Sequence, residues 1–259
     1  MAARRDSTVR VLGVIPARYA SVRLPGKPLV MIAGQPLVQR VYERARLARR
    51  LDAVLVATDD ERIAAAVRAF GGECVLTRHD HASGTDRIAE VAAMRSEDLF
   101  VNVQGDEPLI EPAAIDQLVA AFDGDAAREI AVATLCVRLQ NSADALDPHI
   151  VKVVRDARDH ALYFSRAPIP YSRDQRSPHS AAYFKHLGIY AYRRDALLAY
   201  TRLPKGALEA AEQLEQLRFL ENGFRVRVLE TPFDSVSVDV PEDVPRVEAL
   251  LRNAQSNRR

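Results

Sequence analysis

Short, nearly unbroken apolar runs recur along the first half of the chain, at residues 11–15 (VLGVI), 53–58 (AVLVAT), 73–76 (ECVL), 99–103 (LFVNV) and 129–137 (EIAVATLCV). Runs of this length without polar alternation read as strands covered on both faces, the pattern of a parallel sheet. Helical spacing separates the first four. Residues 36–50 set Leu37, Val41, Ala45 and Ala48 on one stripe, with cations toward the end. Residues 61–70 follow a capping aspartate, Asp60, and stop at Gly71-Gly72. Residues 86–94 follow Ser83 and Thr85, either of which can cap a helix. Strand and helix alternate, which predicts right-handed crossovers and a mostly parallel α/β sheet.

Beyond residue 140 the pattern changes. A short strand is expected at 151–154, an apolar segment with two prolines at 161–171, and a loop rich in Ser, Arg and Pro at 171–182. An aromatic strand follows at 183–192 (YFKHLGIYAY), and a half-exposed one at 225–230 (RVRVLE). These irregular pieces predict a smaller lobe rather than further strand–helix units. Its aromatics exceed the needs of one lobe, which predicts a dimer surface. Residues 208–222 read as one helix ended by Gly223, so that Glu212, Glu215 and Gln216 share a face. Spacing alone leaves such a face in solvent. A last helix is expected over 242–252, with the chain fraying from 253.

Composition narrows the class. At 259 residues, 48% hydrophobic and 27% charged, the chain fits an ordinary globular protein with one large α/β domain or one domain with a subordinate lobe. A net charge of +1 gives the whole molecule no bias toward nucleic acid or membranes, so any cationic site is local. The amino end lacks a secretory core, and no stretch approaches a membrane span. Cys74 and Cys136 lack CxxC spacing and lie in apolar runs, which predicts buried free thiols in a reducing cytoplasm.

Candidate chemistry clusters at the carboxyl ends of the predicted strands, where open α/β sheets hold ligands. After residue 15 the chain breaks at Pro16 and carries Arg18, Arg23 and Lys27, with Pro25, Gly26 and Pro28 shaping the loop. Three cations directly after a core strand point to an anion site. It is not a P-loop, because Pro28 follows Gly26-Lys27 where a hydroxyl residue is required, and no GxGxxG occurs. In TRHDHASGTDR (77–87), His79 and His81 lack a third ligand and read as loop histidines in solvent. Arg78 and Ser83 are better placed as donors to a nucleobase or ribose. Asp106, after Gln104 and Gly105 at the end of the fourth strand, is suited to hold a divalent metal over phosphates, although Asp-Glu-Pro also reads as a turn. Asp239 is either a helix cap or a second metal carboxylate.

The motifs IPARxxSxRLPGKPL, TRxDHxSGTDR, VNVQGDEP, ALYFSRAxIPY, KHLGIYAY, LEQLR and VDVPED, in this order, resemble the CMP-Kdo synthetase (3-deoxy-manno-octulosonate cytidylyltransferase) family over nearly the whole chain. The resemblance implies a Rossmann-like nucleotide-diphospho-sugar transferase fold, with helices on both faces of the sheet. The implied reaction joins CTP and 3-deoxy-manno-octulosonate (Kdo) to give CMP-Kdo and pyrophosphate, the activating step of lipopolysaccharide assembly. It assigns Ala17, Arg18, Lys27, Arg78, Ser83, Gln104 and Asp106 to the nucleotide, and Asp106 and Asp239 to Mg²⁺. Arg18, Lys27, Asp106 and Asp239 are the implied catalytic set. Arg23 and Arg166 are candidates for the sugar carboxylate, and Gln104, His186, Tyr190, Glu215 and Gln216 for sugar hydroxyls. Residues 9–137 would then serve mainly CTP, 138–235 the sugar and dimerisation, and 236–259 return to the metal. The family pattern VDTPED is VDVPED here, so Val240 removes a hydroxyl. Other acceptors (8-amino-Kdo, a sialic acid) stay open. A noncatalytic nucleotide-sensing regulator predicts loss of one metal carboxylate, and both are present.

Overall fold

The apolar run at the start of the chain becomes strand β1 (Val11–Ala17), its residues Val11, Leu12, Val14 and Ile15 excluded from solvent. The computed structural model describes residues 9–21, 23–125, 127–173 and 182–256. In chain order there follow β2 (Met31–Ile32), β3 (Gln35–Pro36), α1 (Leu37–Ala45), β4 (Ala53–Thr58), α2 (Glu61–Ala69), β5 (Glu73–Leu76), α3 (Gly84–Met94), β6 (Leu99–Asn102) and α4 (Pro112–Ala120). Then come β7 (Val132–Arg138), β8 (Lys152–Arg155), β9 (Ala161–Ser165), β10 (Phe184–Arg193), α5 (Arg194–Tyr200), α6 (Ala207–Glu212), α7 (Leu217–Glu221), β11 (Val226–Glu230) and α8 (Asp243–Ser256). Two compact units result, one running to Asp116 and resuming at Ser235, the other covering Gln117–Asp234. No helix among the described residues is long and apolar enough to cross a membrane.

In the first unit β6, β1, β4 and β5 are parallel neighbours in that order. The α/β alternation expected from the sequence is what forms. β1 does not break at Pro16 but pairs on to Ala17, opposite Thr58. The carbonyl of Val14 accepts from the N–H of Val103. Pro16, two residues on, has no N–H with which to extend that ladder, and the pairing of β1 with β6 ends at Val14 opposite Asn102. α1 stops at Ala45, short of residue 50. Asp116 accepts from the N–H of Arg50 (2.8 Å) and Asp52 from that of Val11 (2.7 Å), which holds the following segment in the turn that feeds β4. α2 and α3 open on the predicted caps, Asp60 and Ser83. Cys74 is half-buried rather than buried, because among the described strands β5 pairs with β4 alone. α8 continues to Ser256, past the expected fraying point.

The second unit orders its strands β11, β7, β10, β8, β9, parallel at the first pair and antiparallel after it. β7 begins at Val132, three residues later than its apolar run, because Asp125 takes the N–H groups of Glu129 and Ile130 and the guanidinium of Arg193. Its aromatics stack in series inside the unit. Phe164 meets His186, His186 meets Tyr190, and Tyr190, Tyr192, Phe219 and Tyr200 follow at centroid spacings of 4.9–5.8 Å. Much of the unit's aromatic surface thus packs internally, whereas Tyr171 stays exposed. The predicted loop at 171–182 lies largely outside the described residues.

The single helix expected over 208–222 is two short ones. Gln213 takes a left-handed conformation (φ 53°) and ends α6. α7 then folds back, and buried Glu209 receives Arg218 at 2.7 and 2.6 Å. The Glu221 carboxylate accepts from the N–H groups of Leu208 (2.9 Å) and Glu209 (3.1 Å), capping α6. Glu212, Glu215 and Gln216 therefore lie in a helix end, a turn and the start of the next helix, not on one face. Any Cβ at Gly206 would collide with the Glu221 carboxylate. Gly206→Ala should break this cap and cost about 1–2 kcal/mol; an unchanged urea midpoint would show that the cap contributes nothing.

Candidate active site

Lys27 is set by the turn before it. Gly26 has φ +67°, a left-handed conformation natural to glycine, and its N–H bonds the carbonyl of Tyr19 at 3.1 Å. Lys27 opens a 3₁₀ turn there, and its ammonium reaches Asp106 at 2.7 Å and Asp239 at 3.1 Å. Asp106 stands just beyond β6 because Gly105 lets the backbone close on β1; a Cβ at Gly105 would lie 2.8 Å from the carbonyl of Pro16. The chain near Asp239 is tied in by the Val238 N–H, which donates to the carbonyl of Asp106 at 2.9 Å. Asp243, at the start of α8, accepts from the N–H groups of Asp239 and Val240, and Ser237 donates to the Asp239 carboxylate. Two carboxylates that begin more than a hundred residues apart thus face one cation.

Burial alone would raise the Asp239 carboxyl, but the Lys27 ammonium, joined by Arg23 and the Ser237 hydroxyl, outweighs it and holds the group below the usual carboxylate range. Arg23, expected at the sugar carboxylate, donates to Asp239 at 2.9 Å. Arg18 is exposed, and Ala17 is buried at the end of β1. On either side of Asp106 in the chain, Gln104 is half-buried and Glu107 is buried.

The 77–83 loop of the same unit is held from α3. Arg87, buried, donates to the Thr77 hydroxyl at 2.5 Å and lies 3.4 Å from Asp59. Glu90 accepts from the backbone N–H of Arg78 and pairs with His81. His81 is therefore a largely covered, carboxylate-bound ring and not a solvated one, whereas His79 is exposed. The guanidinium of Arg78 reaches into solvent and touches Asp80 at 3.0 Å. Ser83 gives its hydroxyl hydrogen to Asp86 (2.8 Å) while capping α3.

The second unit gathers the remaining candidates. The guanidinium of Arg166 donates to two carbonyls, of Glu212 (2.9 Å) and Pro148 (3.0 Å), so part of the fork expected for a carboxylate is committed to backbone. Its own N–H and the Ser165 hydroxyl are taken by the Glu212 carboxylate. Lys152, fully buried, donates to the carbonyls of Asp147, Ile150 and Arg166 at 2.5–2.9 Å. Burial lowers its pKa, partly offset by Asp147 and Glu212. His186 is buried beside Thr134 and stacks near Tyr190. Gln216 is buried at the start of α7, and Glu215 is exposed in the preceding turn. Sequence reasoning missed Lys152 and Thr134. A lysine inside the apolar run IVKVV (150–154) was the available signal for the first; Thr134 in ATLCV gave none.

Among the described residues no group of three or more His, Cys, Asp or Glu forms a closed metal cage. Asp106 and Asp239 nevertheless converge on one ammonium as two hard oxygen donors. That donor set fits Mg²⁺, which takes one or two carboxylates plus substrate phosphates rather than a full protein shell.

Comparison with known proteins adds to this geometry. A family profile described as cytidylyltransferase matches residues 12–230. A 3-deoxy-manno-octulosonate cytidylyltransferase of Syntrophotalea carbinolica is 54% identical over 93% of this chain and 98% of that protein. One from Solibacter usitatus is 50% identical over 94% and 95%. A solved CMP:2-keto-3-deoxy-manno-octonic acid synthetase complexed with CTP superposes with a TM-score of 0.90 at 47% identity, covering 95% of this chain and 99% of that one. A 4-diphosphocytidyl-2C-methyl-D-erythritol synthase from Anaerococcus prevotii shares the fold alone, at 11% identity and a TM-score of 0.61.

Proposed function

We propose, from the premise that this chain belongs to the cytidylyltransferase family and within it to the 3-deoxy-manno-octulosonate cytidylyltransferases, that it makes CMP-Kdo and pyrophosphate from CTP and Kdo for lipopolysaccharide assembly. The observation that carries the reading is the Lys27 ammonium between Asp106 and Asp239 at the end of a parallel sheet. The anomeric hydroxyl oxygen of the sugar forms a bond to the α-phosphorus as the bond to the β-phosphate breaks. Pyrophosphate leaves with that electron pair, and the hydroxyl proton is released. Negative charge gathers on phosphate oxygens, so the protein's task is to place positive charge there and to hold both substrates in line.

In this reading Lys27 and Arg18 bind the triphosphate, with the backbone at Ala17 beside it. Asp106 and Asp239 hold Mg²⁺, which when bound neutralises phosphate charge. Arg78, Ser83 and Gln104 address the nucleoside. Arg23 and Arg166 serve the sugar carboxylate; Gln104, His186, Tyr190, Glu215 and Gln216 serve its hydroxyls. The first unit is then mainly the nucleotide part and the second the sugar part. A homodimer belongs to the same reading, supported by the exposed apolar side chains of Leu162 and Tyr171. So does a cytoplasmic location, supported by two free cysteines.

The test is pyrophosphate release with CTP, Mg²⁺ and a panel of acid sugars. Kdo should be the preferred acceptor. Preference for 8-amino-Kdo or a sialic acid would move the acceptor, and no release with any of them would remove the activity.

A further inference from the structure

We infer that Thr134 is a positioning residue: it fixes which ring nitrogen of His186 carries the proton, and so makes Nδ1 an acceptor for a hydroxyl of the sugar. The part concerning the sugar rests on the acid-sugar reading above.

Thr134 sits in β7 with its side chain fully buried, and His186 sits in the antiparallel β10. The register between these strands slips between Leu187 and Tyr190. That irregularity leaves the Thr134 hydroxyl oxygen 3.1 Å from the carbonyl of Leu187 and 2.8 Å from that of Ile189. The same oxygen lies 3.0 Å from Nε2 of His186. A hydroxyl owns one hydrogen, and a carbonyl oxygen can only accept. The hydrogen therefore goes to a carbonyl, Ile189 being the nearer, and the oxygen offers only lone pairs to the imidazole. Nε2 must then be the donor. The reverse assignment would leave both carbonyls facing an oxygen with no hydrogen to give, in a buried place where that is costly.

Burial pushes the His186 pKa down to about 3, so the ring is neutral and carries a single N–H. With that hydrogen on Nε2, Nδ1 bears a lone pair, and no described residue bonds to it. The rings of Phe164 (4.9 Å, edge-on) and Tyr190 (5.4 Å) hold the imidazole plane. A lone pair so fixed accepts from an O–H and opposes a carboxylate, so His186 reads a sugar hydroxyl and leaves the acid group to the arginines. Removing the Thr134 hydroxyl strands a buried Nε2–H. Moving the proton to Nδ1 relieves that, and turns the acceptor into a donor.

Nitrogen NMR of ¹⁵N-histidine-labelled protein, with the signal identified by its loss in His186→Asn, should show the hydrogen on Nε2 in the wild type. Thr134→Val should move it to Nδ1 and raise the KM for Kdo about tenfold, leaving the KM for CTP and kcat at saturating sugar unchanged. Thr134→Ser should restore both the tautomer and the KM. Hydrogen on Nδ1 in the wild type, or an unchanged Kdo KM in the valine variant, overturns the inference. Should Thr134→Val not fold, the wild-type tautomer and the Thr134→Ser kinetics decide alone. The tautomer is read without turnover, so a protein that uses no Kdo at all would remove the acid-sugar reading and leave the Thr134–His186 assignment to stand or fall separately.

Discussion

Asp106→Asn and Asp239→Asn should each lower kcat by about a hundred- to a thousandfold while the protein stays folded. Amide and carboxylate have nearly the same shape, so the substitution removes one charge and little volume. Both carboxylates are partly exposed, at 27% and 32% of their side chains, so the lost pairing with Lys27 destabilises by about 1 kcal/mol or less. In the proposed reading the catalytic loss is larger, because both carboxylates would hold the one Mg²⁺ that neutralises phosphate charge. Titration calorimetry of Mg²⁺ with a non-hydrolysable CTP analogue separates the effects, since each variant should bind the ion more weakly. Near wild-type turnover at limiting Mg²⁺ in either variant would end the shared-site idea.

The same carboxylate carries a pH signature. The folded pKa of Asp239 lies below its ordinary value of 3.8, so the group stabilises the fold above about that pH. As pH falls through the depressed folded value, the group protonates in the native state and that contribution is lost. Asp239→Asn should flatten this part of the acid-denaturation curve. An identical curve in the variant would mean that Lys27 and Arg23 do not act on Asp239 as their distances imply.

Breaking the pair inside the second unit should cost more stability than any other single change considered. Glu209 is 3% exposed and accepts two N–H bonds from Arg218, whose guanidinium also lies 4.3 Å over the ring of Tyr200. Glu209→Ala leaves a mostly covered guanidinium without its carboxylate. Loss of one partner of a buried pair costs about 3–5 kcal/mol, read as a fall in Tm of roughly 10 °C for a chain of this size. The double variant Glu209→Leu with Arg218→Met should recover much of that, because the penalty lies in the uncompensated charge and not in the missing attraction. A shift of less than about 2 °C in Glu209→Ala would show that Arg218 reaches solvent or another acceptor at little cost.

Local signals in the chain determined the first unit almost element by element. Apolar runs became β1, β4, β5 and β6, and the caps Asp60 and Ser83 opened their helices, because burial and capping act over a few residues. The cationic loop and the carboxylates at 106 and 239 were legible for the same reason, each ending or beginning an element that the pattern defines. Tertiary contacts decided what lies between residues distant in sequence. The break within 208–222 depends on Glu209 meeting Arg218 and Glu221 reaching back to Leu208. Helical spacing is blind to such a fold-back, since each half alone satisfies it. Lys152 and Thr134 were hidden in strands because their partners are backbone carbonyls and a histidine fixed only once β7, β8 and β10 pair. A hydrogen bond to a carbonyl leaves no residue-type signature, so only the register of the sheet could show which groups those side chains hold.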